Sequence, residues 1–354
     1  MSEDFSLIHK IGAIIYDLPR YLWAMRPSWG HNNRGLPWVF MRNRNERLIT
    51  EEGGKGVLCD WRWTSKLHIA RVFPTLGLQL MKRTFRDWRI ALQPEPSQQT
   101  KNVDVSFIIG HKGLSRLSHL LFTLKTIAAQ KNVSIECLIV EQAVAPEIQQ
   151  FLPSWVRYMH TPLPYPEMPY CRSWAFNVGA RIARGSLLVF HDNDMLVPRE
   201  YALQLLGRYM EGYEVINLKR FIFYLCEAHS ARIFSSGEVL LDKAPKAVVQ
   251  NLEAGGSVAI SKDTFFAIGG FDESFMGWGG EDNEFWERAQ TRRVWPYGYL
   301  PIIHLWHTSQ SEKLLGENAS TKKMYWEYSR ISPETRIKNL VDRSFGSFEG
   351  PSSG

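Results

Sequence analysis

The sequence predicts an α/β fold: an open, Rossmann-like mixed sheet, mostly parallel, with flanking helices, preceded by a helical N-terminal extension. Three observations predict it. From residue 103 onward, short apolar runs alternate with amphipathic helical stretches. These runs end in glycine or polar residues, as buried strands do. The first hundred residues are different in kind, with 15 Lys and Arg against 9 Asp and Glu, and six of the 13 tryptophans.

Each element follows in order. Residues 1–100 are broken by Pro27, Pro37, Pro74 and Gly53-Gly54, so they read as short helices and loops. Within them, residues 75–92 set Leu76, Leu80, Trp88 and Leu92 apart from Lys82, Arg83, Arg86 and Arg89. Two readings of this basic helix stay open: packing on the main domain with a solvated basic side, or peripheral contact with an anionic membrane. Residues 94–102 read as a linker. VDVSFIIG (103–110) is a strand, and 114–129 carries Leu114, Leu117, Leu121, Leu124 and Ile127 at helical spacing. SIECLIVEQ (134–142) and WVRYMH (155–160) are further strands, 170–183 a helix, and SLLVFHDND (186–194) a strand ending in acids. The expected units are the extension 1–100, the main domain 103–310, and 311–354 as lid, C-terminal helix and disordered tail.

Composition bounds the function. With 44% hydrophobic and 22% charged residues the chain is globular in class. No apolar run reaches the length of a membrane-spanning helix, and the start MSEDFSLIHK is not that of a secretory signal. Cys59, Cys137, Cys171 and Cys226 form no C-x-x-C pair, which argues against zinc knuckles and a disulfide scaffold and for a cytoplasmic, reducing setting. The basic excess is modest and confined to one end, so no nucleic-acid role is expected.

In open α/β sheets, ligands bind beyond the carboxyl ends of the strands. His111-Lys112, Glu141-Gln142 and His191-Asp192-Asn193-Asp194 should therefore gather on one rim. Two carboxylates two residues apart at a strand end can share a divalent cation and a ribose, although a solvated turn places Asp there just as often. GGFDESFMGWGGEDNEFWERA (269–289) is more particular. Gly277, Gly279 and Gly280 surround Trp278, and Glu281, Asp282 and Glu284 follow at once. An indole face beside carboxylates suits a sugar ring, and one carboxylate can serve as general base. An acidic helix start explains Glu281 and Asp282 but not the Gly-Trp-Gly-Gly before them. His304-Leu-Trp-His307 offers two imidazoles that share one metal only if the chain bends.

Taken together, these motifs resemble the inverting glycosyltransferases of GT-A fold typified by β-1,4-galactosyltransferases, with bacterial chondroitin-polymerase-type enzymes as cousins. FIIGHKG (107–113), LIVEQ (138–142), Arg172 with Asn177-Val178-Gly179, VFHDND (189–194), 255–271, GWGGEDNEF (277–285) and His307-Thr-Ser stand in that family's order. The resemblance implies that Asp194 and His307 ligate Mn²⁺, or Mg²⁺, and that Asp282 is the general base. It implies acceptor contacts from Glu281, Trp278, Gly279 and Gly280. It implies contacts to a UDP-sugar from Gly110, His111, Lys112, Arg172, Asp192 and Asn193.

Two departures stand out. Gly110-His111-Lys112 replaces the family's usual Pro-Phe-Arg, and His304 stands where the animal enzymes commonly have Met. Imidazole is the better ligand for a borderline metal, so His304 is expected to join His307. The implied activity is transfer of a sugar from a UDP-sugar to a glycan or lipid-linked acceptor, in bacterial surface polysaccharide synthesis, in the cytoplasm or at the inner face of its membrane. A metal-dependent hydrolase and a non-catalytic glycan-binding module are the alternatives.

Overall fold

The computed structural model describes residues 5–26, 36–44, 46, 57–58, 64–97, 102–309 and 319–351. Trp29, Cys59, Trp61, Trp63, part of the expected linker and most of the expected lid (310–318) lie outside them. The chain begins with α1 (Leu7–Gly12) and α2 (Leu18–Ala24), joined by a π-helical turn at Ala13–Asp17. Strands β1 (Val57–Leu58) and β2 (Ser65–Lys66) and helices α3 (His68–Val72) and α4 (Pro74–Asp87) follow. α4 is the basic helix expected at 75–92. Pro74 sits at its start, where a missing N–H costs nothing. Gly77, Leu80, Met81, Thr84 and Phe85 are buried while Lys82 and Arg86 are exposed. The apolar face of α4 is thus taken up by the protein itself, and membrane contact through this helix gains no support.

The main body runs β3 (Val105–His111), α5 (Leu117–Ala128), β4 (Ile135–Ala143), β5 (Arg157–Pro162), α6 (Arg172–Ile182), β6 (Leu187–His191) and β7 (Met195–Leu196). Next come α7 (Tyr201–Met210), β8 (Val215–Ile216), β9 (Lys219–Tyr224), α8 (Glu227–Ser236), β10 (Ala247–Gln250), β11 (Ser257–Ser261) and α9 (Lys262–Ala267). The last elements are α10 (Glu281–Ala289), β12 (Val294–Trp295), β13 (Tyr297–Gly298), β14 (Leu300–His304), α11 (Ser320–Tyr328) and α12 (Pro333–Val341).

The principal sheet has the order β12-β8-β11-β6-β3-β4-β5. β6, β3, β4 and β5 are mutually parallel, β11 is antiparallel to β6 and β8, and β12 is parallel to β8. This is the mixed, mostly parallel sheet that the sequence predicts. A second sheet, β2-β10-β9-β14-β7, was not anticipated. Its strands have two to six residues, too few for periodicity to reveal them. It matters because β14 runs antiparallel to β7 with His304 opposite Met195, next door to Asp194.

The expected rim forms only in part. Glu141 stands beside His111 in the β3–β4 register, but it is fully buried and accepts from Tyr158 Oη and the Glu147 and Ile148 amides. Gln142 binds the backbone of Cys171 through both ends of its amide. These two residues brace loops and do not reach the ligand cavity. The tail expected to be disordered is anchored at residues 345–347, with Phe348 and Glu349 beyond them exposed. Phe345 is buried, its carbonyl accepts from Arg181, Gly346 N donates to Glu273 Oε1 at 2.7 Å, and Ser347 O accepts from Trp174 Nε1 at 2.6 Å.

Arg220 ties the extension to the body. Fully buried, it donates to Val39 O and Met41 O, each at 2.7 Å, to Asn251 Oδ1 at 2.7 Å and to Glu46 Oε1 at 3.1 Å. Removing one member of such a buried pair leaves the other charge uncompensated. Arg220→Ala is therefore expected to cost about 3–5 kcal/mol in urea unfolding. A loss below about 1 kcal/mol, the size of an exposed pair, would show that the anchor is not needed.

Candidate active site

One cavity of about 480 Å³ opens beyond the ends of β3 and β6. Gly110, His111 and Lys112 line one side, Asp192, Asn193 and Asp194 the floor, and His304 and His307 a second wall. Arg172, Trp278, Glu281 and Asp282 close it opposite. Gly279 and Gly280, expected at an acceptor, do not line it. Gly277, Gly279 and Gly280 all have positive φ, of 104°, 97° and 92°. A Cβ on Gly280 would lie 2.8 Å from Thr321 O. Their work is to turn the loop beneath α11, whose Thr321 hydroxyl donates to Trp278 O.

The loop delivers α10 with Glu281 and Asp282 in its first turn, where the helix dipole favours acids. Arg288, wholly buried, fixes that helix by donating to the Ile268 and Gly270 carbonyls and to both oxygens of Glu284. Phe271 and Phe285 stack at 4.0 Å beneath it. Burial and the neighbouring Asp282 push the Glu281 carboxyl up to about 7, against the pull of Arg172. Among the described residues, Glu281 Oε2 and Asp194 Oδ1 are buried carboxylate oxygens without a hydrogen-bond donor.

Arg172, expected to contact the nucleotide, lines the cavity among carboxylates. It donates to Asp192 Oδ1 from Nη2 at 2.6 Å and from Nε at 3.0 Å, and to Asp282 Oδ1 from Nη1. Nη1 also lies 3.5 Å from Glu281 Oε1. A guanidinium shared by three carboxylates links Asp192 to Glu281 and Asp282. His111 is likewise committed: Nδ1 is 2.9 Å from Asn193 Nδ2 and Nε2 is 2.7 Å from Gly113 O. Burial lowers its pKa, so it is a neutral brace of the loop. Lys112 Nζ rests on Met168 O at 2.8 Å. At Gly110 a Cβ would fall 2.2 Å from Tyr170 Oη and 2.8 Å from Ala175 Cβ. The close pass of α6 accounts for glycine there and leaves no space for a proline ring.

Asp194, His304 and His307 present ligand atoms that all lie within 4.8 Å of one another. His307 Nε2 is 3.3 Å and His304 Nε2 3.8 Å from the Asp194 oxygens. The chain bends after β14, which resolves the strand-geometry objection to both imidazoles sharing a site. One carboxylate and two imidazoles suit a borderline divalent ion, and the donorless Asp194 Oδ1 suits it too. Burial raises the Asp194 carboxyl, but His304, His307 and Arg116 outweigh it and hold it below the usual range.

Sequence reasoning passed over four of the participants. Arg116 lies 3.3 Å from Asp194 Oδ2 and 3.0 Å from His307 Nδ1. Its position a few residues past Lys112 was the available signal. Tyr224 stacks on His304 at 4.2 Å, because the two are register partners in β9 and β14. Lys219 is buried below the floor, donates to the Glu253 and Ser257 carbonyls, and is pushed down to about 7 by burial. Glu253 accepts from Asn283 Nδ2 at 2.7 Å. Nothing in the sequence marks the last three.

Burial raises the Glu253 carboxyl to about 7. Folded protein thus keeps this proton over a pH range in which unfolded chain, near 4.5, has lost it. Stability from this group falls as pH rises from about 4.5 to about 7. Glu253→Gln should remove that fall, gaining on the order of 2 kcal/mol over wild type between pH 4.5 and 8. Urea midpoints at both pH values measure it, and parallel profiles for the two proteins would refute it.

Comparison with known proteins bears on the same walls. A family model described as the N-terminal domain of galactosyltransferase matches residues 246–296, which include Trp278, Glu281 and Asp282. Beta-1,4-galactosyltransferase 5 of Sus scrofa is 30% identical over 126 residues, 34% of this chain and 26% of that protein. Beta-1,4-galactosyltransferase 4 of Homo sapiens is 31% identical over 81 residues, 22% of this chain and 23% of that one. The matched stretches thus span about a quarter of the length of these relatives. On fold, on motif order and on these matches, the chain resembles the β-1,4-galactosyltransferases.

Proposed function

We propose that this protein is a metal-dependent, inverting glycosyltransferase that moves a sugar from a UDP-sugar to a glycan or lipid-linked acceptor. The observation that carries the reading is a single cavity with an Asp-His-His cluster on one wall and Trp278, Glu281 and Asp282 on the other. The matches to galactosyltransferases support the same class. Bacterial polysaccharide synthesis and a cytoplasmic setting belong to the proposal alone. The relatives are animal proteins, while Cys137 and Cys171 are buried free thiols, as a reducing compartment allows.

Asp194, His304 and His307 would hold the divalent ion, Mn²⁺ or Mg²⁺. When bound, that ion supplies positive charge to the diphosphate leaving group. Arg116, beside Asp194 and His307, and Lys112, on the same cavity, add cations where negative charge develops as the glycosidic bond breaks. Trp278 offers a flat face to the acceptor, and Glu281 accepts from its hydroxyls with the donorless Oε2. Asp282 takes the proton from the attacking hydroxyl as the new carbon–oxygen bond forms. Arg172 holds Asp282 and Asp192 in fixed relation, so the base is oriented before any substrate arrives.

Two measurements test this. Asp282→Asn should lower acceptor-dependent UDP release by about 10²–10⁴-fold while UDP still binds with Mn²⁺. Turnover within about tenfold of wild type would remove Asp282 from the role. UDP or phosphate release that needs no acceptor, in the wild type, would favour the hydrolase instead. His304→Ala should change the ratio of activity with Mn²⁺ to that with Mg²⁺. An unchanged ratio would take His304 out of the metal shell.

A further inference from the structure

The N-terminal helices carry apolar residues on both sides. The side of α1–α2 facing the protein buries Ala13, Tyr21 and Ala24 in the core, with Leu18 and Met25 packed against it and Asp17 among them. Asp17 is neutralised there by Arg44 at 2.8 Å and Arg20 at 3.7 Å. The outer side carries Leu7, Ile8, Ile11, Ile14, Ile15 and Leu22, with Leu7 72% and Ile8 81% exposed. These positions repeat at the three-to-four-residue step of one helical stripe. A single exposed isoleucine needs no explanation, but six along one stripe form a patch of the kind that marks an interaction surface.

Charge selects the occupant. Between residues 5 and 26 the acid is Asp17 alone, buried and paired, whereas Lys10 and Arg26 are exposed; Glu3 and Asp4 precede them in the chain. The first hundred residues carry 15 Lys and Arg against 9 Asp and Glu, so the stripe belongs to the basic part of the chain. Tyr16 and Trp23, both exposed, supply aromatic rings of the type that settle at a lipid headgroup boundary. The segment is about 27 Å long, and no helix among the described residues is long and apolar enough to cross a membrane. Such a helix lies in the interface plane rather than spanning it. We propose that α1–α2 docks the protein on an anionic phospholipid bilayer, with the Leu7–Leu22 stripe among the acyl chains and Lys10 and Arg26 at the headgroups.

Flotation of the full chain with phosphatidylcholine vesicles, with and without phosphatidylglycerol, tests this. Wild type should float with the anionic vesicles and be released by high salt. Combined Ile8→Ser, Ile11→Ser and Ile15→Ser should cut the partition about tenfold or more. Lys10→Glu with Arg26→Glu, which leaves the apolar stripe intact, should cut it to a similar degree on anionic vesicles only. All five side chains are exposed, so both variants should melt with the wild type. Light scattering without lipid gives the other arm. A dimer that the triple serine variant converts to monomer, with no flotation, would assign the stripe to a second copy and overturn the proposal. Equal flotation of wild type and both variants, or equal binding to neutral vesicles, would overturn it as well.

Discussion

Four carboxylates converge on one cavity, and the cations that allow them to do so organise the rest of the site. Asp192, Asp194, Glu281 and Asp282 all line that cavity and would repel one another if left alone. Arg172 answers three of them at once, Arg116 and the two imidazoles answer Asp194, and Lys219 lies buried below. The compensation is uneven. Asp194 is held below its ordinary range, while burial leaves Glu281 near neutrality and raises Asp192 despite Arg172. Groups of one chemical type are thereby sorted into different protonation tendencies by surroundings alone, which is what acid–base chemistry in a small space requires.

Two sheets make that convergence possible. β6 ends at His191 and turns through Asp192, Asn193 and Asp194 into β7, so the acids stand where the principal sheet hands the chain to the second. β14 then pairs with β7 on one edge and β9 on the other, placing His304 between Asp194 and the ring of Tyr224. The register of this two-residue strand sets the Asp194–His304 geometry, since a slip of one residue would turn His304 to the opposite face.

The parts legible in the sequence are those with long periodicity or unusual composition. β3, β4, β6, α5 and α6 fall within a few residues of their expected spans. The Gly-Trp-Gly-Gly loop with its acids was conspicuous because no ordinary helix start needs it. Twelve of the fourteen nominated residues line one cavity. What the sequence hid is pairing: Arg172 and His111 carry groups that could contact a nucleotide, yet both are spoken for by protein partners identifiable only in three dimensions. Lys219 and Tyr224 sit in a short strand whose residues look like core, and their relation to the site exists only through register. The tail reads as disordered for a related reason: the buried ring of Phe345 packs on Phe265 and Phe266, and Trp174 and Glu273 hydrogen-bond its backbone, partners that only the fold brings near.

The two walls of the cavity are built differently along the chain. Residues 246–296 form one continuous stretch, from β10 through α10 to β12, and contain the whole carboxylate-and-indole wall. The opposing wall is assembled from separate segments: the β3 loop, the β6–β7 turn and the end of β14. A wall made in one piece takes its spacing from the chain itself. A wall made from distant segments is held together through side-chain chemistry and strand register. Gly110 shows a local constraint of the same kind: a Cβ there would crowd Tyr170 Oη and Ala175 Cβ, so the end of β3 passes close to them as glycine. The electrostatic requirement, four acids balanced by two arginines, a buried lysine and two imidazoles, is the feature that the two walls must satisfy jointly.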